Sequence, residues 1–515
     1  MVNGIPTMRL SLIGGLIVIS LIIFLTFGTL LAVTFRIEGS FIMDRYDWGV
    51  IRFTFLQAFV SAVTSLILAI PISRALVRRN FIGRKILITL LGAPFILPII
   101  VAILGLIAVF GRTGFLSDFL GFFDIKPLTL YGLHGVIIAH VFFNLPLAVR
   151  LLLQGWLSIP AERFRLGQAL NFSALNFFKH LEVPMLSRFV PGAFLLIFLI
   201  CTTSFAVALA LGGGPKATTV ELSIYQAFRF EFDLARVAIL ALIQFLICGL
   251  IAVLSFWIAL PTYQGSGLDR VIPTNSQGKI IDFIFILGAT LFLVLPLFMI
   301  IFRGSLALFL LPDSIFMAAF RSICVALFAS ILTVVMGLFI ASLLVYHSKK
   351  FEIIGYLPIA ASPLVIGVGL FIMSYQWMDP VSIALPAAVL INALMCVPFA
   401  LRAILPTYID IEKNYGQLAD SLSMSGWARF RWLLWPRLRR SVGFCMGLAA
   451  ALSMGDLGVI ALFSDPDHST LPLEIYRLMM AYRMNDAYGA ALLLLLLSIS
   501  LFWIFDRGGR LDANP

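Results

Sequence analysis

Asp456 is the one acidic residue well inside a long apolar run, in the string LSMGDLGVIALF (452–463). A carboxylate in such a place is costly and faces either a cavity or a partner group. It suits a pathway-lining position that attracts a cation, or a buried cap that hydrogen-bonds a neighbouring helix. His140, Asn144 and Asn392 lie in or beside two further apolar runs, with Pro146 and Pro398 close behind them. These groups fit hydrogen bonding between helices or contact with a substrate, and the prolines free backbone carbonyls and kink the helices. Other chemistry is missing from the pattern. No His, Cys, Asp and Glu cluster has metal spacing, and no nucleophile–base pair stands out. No Walker A string occurs, since Gly278-Lys279 lacks both the upstream Gly and the following Ser or Thr. The run Gly212-Gly213-Gly214-Pro215-Lys216-Ala217-Thr218-Thr219 has the wrong spacing for a phosphate cradle. It reads as a tight turn between a span and a surface helix, or as a contact for a substrate-delivering protein. The five cysteines all fall in apolar runs and behave as small core residues.

The elements that must position these groups are membrane helices. The 515 residues are 61% hydrophobic and only 12% charged, about half the charge a water-facing surface needs. Runs long enough to cross about 30 Å of hydrocarbon occur at 11–35, 53–74, 86–110, 132–153, 190–211, 236–259, 280–302, 321–346, 353–376, 383–403, 441–463 and 487–505. Runs 86–110 and 353–376 are interrupted by proline and are the least regular. Continuous apolar runs exclude a membrane barrel, whose strands alternate. The first run is too long for a signal h-region and lacks a small-x-small cleavage site, so it reads as a retained span.

A net charge of +11 invites a nucleic-acid reading, but its distribution points elsewhere. With the N-terminus inside, 24 of the 36 Lys and Arg residues fall on the inner segments. That is the positive-inside bias of a multi-pass protein with both termini in the cytoplasm.

The chain also repeats itself. Residues 146–188 and 398–440, offset by 252, share 13 identities in 43 ungapped positions. Further on the offset is 251, and earlier segments match near 268. Six spans in each repeat return the chain to the same side, so the halves run parallel. The expected division is 1–260, a polar linker at 261–279, and 280–515.

The longest inner segments, 154–189 and 404–440, occupy equivalent places. Each is long enough for two short helices set at an angle. Segments 161–170 and 412–422 are amphipathic, and a polar break follows each, Asn171-Phe172-Ser173 and Ser423-Met424-Ser425-Gly426. Ser at the end of such a break is a good N-cap for the next helix. Two copies at one register look built to receive a two-fold symmetric partner.

These elbows resemble the EAA motif of binding-protein-dependent ABC importer permeases. Counted back from Pro184 and Pro436, the motif begins at Arg165 and Gln417, with Asn171 and Ser423 at its Gly position. Both copies depart from the consensus at the Glu and at the Gly. Asn and Ser still suit a turn. The resemblance implies a coupling helix seated in a groove of an ATPase subunit, and it marks Arg165, Leu170, Asn171, Phe172, Ser173, Phe178 and Pro184 in one copy. The second copy supplies Gln417, Leu422, Ser423, Met424, Ser425, Phe430 and Pro436. The strings HVFFNLPLAVRLLLQ (140–154), LGGGPKATTVELSIYQA (211–227), LSMGDLGVIALF and TLPLEIYR (470–477) are similar to thiamine/thiamine pyrophosphate importer permeases. That family implies an all-α transmembrane protein with the type I ABC importer permease fold, two parallel six-helix repeats and about 12 transmembrane helices. It also implies a bacterial inner-membrane location, a periplasmic substrate-binding protein, and ATP-Mg held by a separate ATPase dimer, with no cofactor on this chain. Fused ferric-iron or polyamine permeases share the architecture. An ion-coupled secondary transporter is the rival of another class, and would want more midplane ionisable groups than Asp456.

Overall fold

The computed structural model describes residues 6–510 apart from 36–42, 93–95, 125, 128, 259–277, 349–350, 376, 380 and 464–468. The expected linker at 261–279 therefore lies almost wholly outside the described residues. Every regular element among them is helical.

The first six spans begin with α1 (Pro6–Ile23), which runs on through a wide turn to Thr34, and α2 (Arg45–Arg78). The third is broken into α3 (Arg84–Leu90) and α4 (Ile99–Phe110), and α5 (Leu133–Leu157) is the fourth. A short α6 (Ala161–Ala169) leads to α7 (Val183–Thr202), α8 (Ala206–Leu211), the outer helix α9 (Val220–Gln226) and α10 (Leu234–Trp257). The second six begin with α11 (Lys279–Ala307) and α12 (Asp313–Tyr346), followed by a broken pair, α13 (Glu352–Ala360) and α14 (Pro363–Ser374). They end with α15 (Ala384–Ser421), α16 (Trp435–Met454), α17 (Gly458–Phe463), the outer helix α18 (Leu471–Met480) and α19 (Met484–Arg510). Among the described residues, eleven helices are long and apolar enough to cross a membrane, or twelve if α13 and α14, bent by 90°, count as one span.

The apolar runs correspond to these spans, with four interruptions. The run at 86–110 is two helices, and α4, with 12 residues, reaches the length of a span only together with the short helix Phe115–Gly121 that follows it. The run at 353–376 breaks where Ser362 Oγ accepts the N–H groups of Leu364 and Val365 at 3.1 and 3.3 Å, with Pro363 starting the next helix. The runs at 190–211 and 441–463 break at 203–205 and 455–457. Asp456 thus stands in a gap between helices rather than inside one. Its repeat counterpart Phe205 stands in the matching gap.

The first span of each six packs against the other six. α1 lies along α12, and its continuation reaches α14, while α11 lies against α2 and α4. Small residues make this possible. A Cβ on Gly369 would come within 2.5 Å of the Thr29 carbonyl oxygen, and one on Gly105 within 2.7 Å of the Pro296 carbonyl oxygen. Lipid tails are as apolar as the side chains, so close backbone approach supplies much of the drive for such packing. As a result the two apolar cores do not follow chain order. One joins α2, α4, α5 and α7 with α11 and α19, and the other joins α1 and α10 with α12, α14, α15 and α16. Outward faces such as Leu246, Leu250, Leu291 and Phe298 are exposed, as a lipid-bathed surface requires.

Candidate functional site

The two elbows close with the same backbone turn. In the first, α6 ends when Asn171 takes φ = 51°. Its N–H then bonds the Gln168 carbonyl at 3.0 Å, and the Phe172 N–H bonds the Gly167 carbonyl at 2.9 Å. In the second, Ser423 takes φ = 52°. Ser423 N–H meets the Asp420 carbonyl at 3.0 Å, and Met424 N–H meets the Ala419 carbonyl at 2.9 Å. This paired closure satisfies carbonyls that the helix end would strand, and it needs one left-handed residue. Asn and Ser occupy that position here without glycine. Ser173 then caps the following turn, its Oγ accepting the Asn176 N–H at 3.3 Å. Ser425 makes no side-chain cap, and Gly426 after it has φ = 67°.

The elbows differ in how they join the spans. Pro160 ends α5 and starts α6 as a separate helix, because a proline lacks the N–H an interior turn needs. Its repeat counterpart is Glu412, so α15 runs without interruption through the corresponding segment to Ser421. The two-helix elbow expected from both segments is therefore present in the first copy, while in the second the leading arm is the end of the tenth span.

The glue differs as well. Phe177 stacks on Phe164 at 6.3 Å and meets Phe172 edge-on at 5.7 Å. Its counterpart Arg429 instead bridges Glu412 at 2.5 Å and Asp420 at 2.6 Å.

What the elbows share is an outward apolar face. Leu166, Leu170 and Leu175 are exposed, as are their counterparts Leu418, Leu422 and Trp427. Leu170 is 60% and Leu422 63% exposed, far more than helix packing would leave. Arg165, Gln417, Asn171, Ser173, Ser423, Ser425, Pro184 and Pro436 are also exposed around them, and Phe172 and Met424 are half-buried. Phe178 lies under the Arg74 guanidinium at 5.6 Å. Phe430 packs between Trp427 at 5.4 Å and Trp435 at 6.0 Å.

The breaks at 91–98 and 203–205 both lie against the one at 455–457. A Cβ on Gly455 would stand 3.0 Å from Pro98 Cα, and one on Gly458 3.4 Å from the Phe205 ring. Asp456 Oδ1 accepts the Gly458 N–H at 3.2 Å, which caps α17, and the Asn392 side chain lies beside the carboxylate. Phe205 meets Tyr225 edge-on at 5.2 Å. Tyr476, the repeat counterpart of Tyr225, packs against both apolar cores.

The other polar residues singled out from the sequence link helices. His140 Nδ1 is 3.3 Å from Ser61 Oγ, joining α5 to α2. Asn144 Nδ2 donates to Cys201 Sγ at 3.3 Å, and Asn392 Nδ2 to Ser453 Oγ at 3.0 Å. The glycine run at 212–214 is a turn, with Gly213 and Gly214 at φ = 74° and 125°.

Sequence reading missed Glu221. It falls in an outer loop by hydropathy, yet α9 folds back against α10 and α14 and leaves Glu221 only 1% exposed. Its Oε1 accepts from Gln244 Nε2 at 3.2 Å, and that amide also donates to the Thr202 carbonyl at the end of α7 at 3.1 Å. The signal was present: Val220, Leu222 and Ile224 surround the acid, too apolar a sequence for a helix lying free in water.

A helical bundle of eleven or twelve spans, with broken helices lying against one another and paired elbows at its arginine-rich end, is a multi-pass membrane transport permease. Comparison with known proteins agrees. No family model matches the chain. It is 36% identical to the thiamine transport system permease protein ThiP of Salmonella typhimurium, over 90% of this chain and 89% of that protein. It is 37% identical to ThiP of Escherichia coli, again over 90% and 89%. A ferric transport system permease protein, FbpB of Actinobacillus pleuropneumoniae, is only 23% identical, over 87% of this chain and 70% of that one. The chain belongs to the thiamine transport system permease family.

Proposed function

We propose that this permease is the membrane subunit of an ATP-driven, binding-protein-dependent importer of thiamine or thiamine phosphates in a bacterial inner membrane. The observation that carries the ATP-driven part is the pair of elbows. Identical helix closures at Asn171 and Ser423 present equivalent apolar triplets, a surface suited to a two-fold ATPase. The ATPase supplies ATP-Mg from its own chain, and Arg165, Leu170, Asn171, Phe172, Ser173, Phe178 and Pro184, with their second-copy equivalents Gln417, Leu422, Ser423, Met424, Ser425, Phe430 and Pro436, form the docking face. The elbows lie on the side rich in Lys and Arg, which the positive-inside bias puts in the cytoplasm. A periplasmic binding protein would meet the opposite face near α9 and α18; residues 464–468 of that face lie outside the described residues.

Thiamine as the cargo is supported by the names of the relatives and by the helix breaks around Asp456. Transporters place their substrate path at broken helices near mid-membrane. Asp456, Phe205, Tyr225 and Tyr476 bring a carboxylate and aromatic rings to that place, and both attract an aromatic cation. His140, Asn144 and Asn392, each hydrogen-bonded to a neighbouring helix, would hold the surrounding wall. The two packed bodies, each with spans from both repeats, would rock against each other, ATP binding favouring one state and substrate release the other. Uptake of labelled thiamine into cells lacking the chain, with and without complementation, tests this reading. ATP-dependent uptake restored only by the chain supports it. Unchanged thiamine uptake in the deletion strain overturns the substrate.

A further inference from the structure

Neither the turns nor the apolar triplets explain a set of carboxylates that tie the elbows to other helices. Glu182 follows the first elbow and is 1% exposed. It forms ion pairs with Arg74 and Arg78, each at 2.8 Å, from the last turns of α2. The next residue, Arg79, pairs at 2.6 Å with Asp282 in the first turn of α11. One end of α2 thus grips the first elbow on one side and the opposite six spans on the other.

The second elbow has its own tie. Glu412 pairs with Arg429 at 2.5 Å and accepts a hydrogen bond from the hydroxyl of Tyr346, the last residue of α12. The Arg429 guanidinium also lies over the Tyr346 ring at 5.9 Å. Tyr346 is the repeat counterpart of Arg78 at the 268 offset. Equivalent helices therefore end in equivalent residues that hold an elbow carboxylate, although the acid sits after the turn in one copy and before it in the other. A conserved location with exchanged chemistry points to the link itself, rather than to one side-chain pair.

We propose that Glu182 and Glu412 are positioning residues that pass elbow movement to α2 and α12, and that Arg79–Asp282 carries the first elbow's movement on to α11. The physical basis is that a mostly buried ion pair resists separation, because parting it strands a charge in a low-dielectric setting. Apolar contacts alone would let the elbow slide. This inference rests on the reading of the elbows as the ATPase-docking face.

The test uses the full complex of permease, ATPase and binding protein in proteoliposomes, with uptake per ATP hydrolysed as the readout. Glu182→Gln and Glu412→Gln should still co-purify with the ATPase and keep basal hydrolysis within about twofold. Uptake per ATP should fall about tenfold, the size of a typical coupling between sites. Arg79→Asp and Asp282→Arg should each lower the ratio, and the double exchange should recover it. If the Gln variants fail to accumulate, this exchange decides the matter, since it keeps both charges. Uptake per ATP unchanged by the Gln variants, or no recovery in the exchange, overturns the proposal. A wild-type complex with no ATP-dependent uptake would instead overturn the importer reading itself.

Discussion

Ser322 Oγ accepts the backbone N–H of Leu471 at 2.8 Å, so α12 holds the start of α18 across 149 positions of sequence. The same bond occurs in the first six spans, where Thr54 Oγ1 accepts the Val220 N–H at 2.9 Å at the start of α9. Thr54 and Ser322 differ by the 268 offset, and Val220 and Leu471 by 251. Both outer helices are therefore hung from the second span of their own repeat. Thr54→Val keeps the shape and removes the acceptor, which leaves a buried N–H unpaired and costs about 1–3 kcal/mol. A lower Tm of purified protein in detergent checks this, with Thr54→Ser expected to stay near wild type.

The left-handed residues at the elbows give a second expectation. Valine at φ near +50° is strained, by about 1–2 kcal/mol, whereas glycine is at ease there. Asn171→Gly and Ser423→Gly should keep ATPase co-purification and uptake. Asn171→Val and Ser423→Val should reduce both. Equal behaviour of the Gly and Val variants would show that the turn geometry does not matter for docking.

Leu170 and Leu422 separate docking from stability. Both are exposed, so Leu170→Asp and Leu422→Asp should change stability by no more than about 0.5 kcal/mol. On the docking reading each loses ATPase in a pull-down, and the double variant loses it entirely. Retention of the ATPase by the double variant would move the docking face elsewhere.

Asp456 offers a choice between two roles. Asn at this position can still accept the Gly458 N–H, so Asp456→Asn should fold and reach the membrane normally. If the charge draws a cation into the path, uptake at low substrate falls about tenfold, corresponding to about 1.4 kcal/mol of lost attraction. Normal uptake with normal expression would leave Asp456 as a helix cap only.

Glu221 predicts a stability effect without a docking effect. Glu221→Leu strips the Gln244 amide of one acceptor in a buried setting and should lower Tm by the equivalent of about 1–3 kcal/mol, while the ATPase still co-purifies. Glu221→Gln, which keeps an acceptor oxygen, should be milder.

The spans, the arginine-rich side and the paired elbows were legible in the sequence because each depends on local quantities. A run such as 321–346 carries its own transfer free energy into lipid. Asn171 and Ser423 carry a turn preference that acts over a few residues, and the 252 offset exposes their pairing without any fold. Pro98 and Pro363 marked irregular spans for the same reason, though not how far the helices part.

Contacts between distant residues were decided by tertiary structure alone. Nothing local in Glu221 tells it from an outer-loop acid, and only the packing of α9 against α10 and α14 buries it. Asp456 reads as an intramembrane charge until Gly458 and Asn392 are placed around it. The crossing of α1 onto α12 and of α11 onto α2 depends on whether Gly369 meets Thr29 and Gly105 meets Pro296. Hydropathy is a sum over one segment and says where a helix is stable in lipid. Which helices touch is settled by shape and by pairing of buried polar groups, and those energies exist only once the partners are in place.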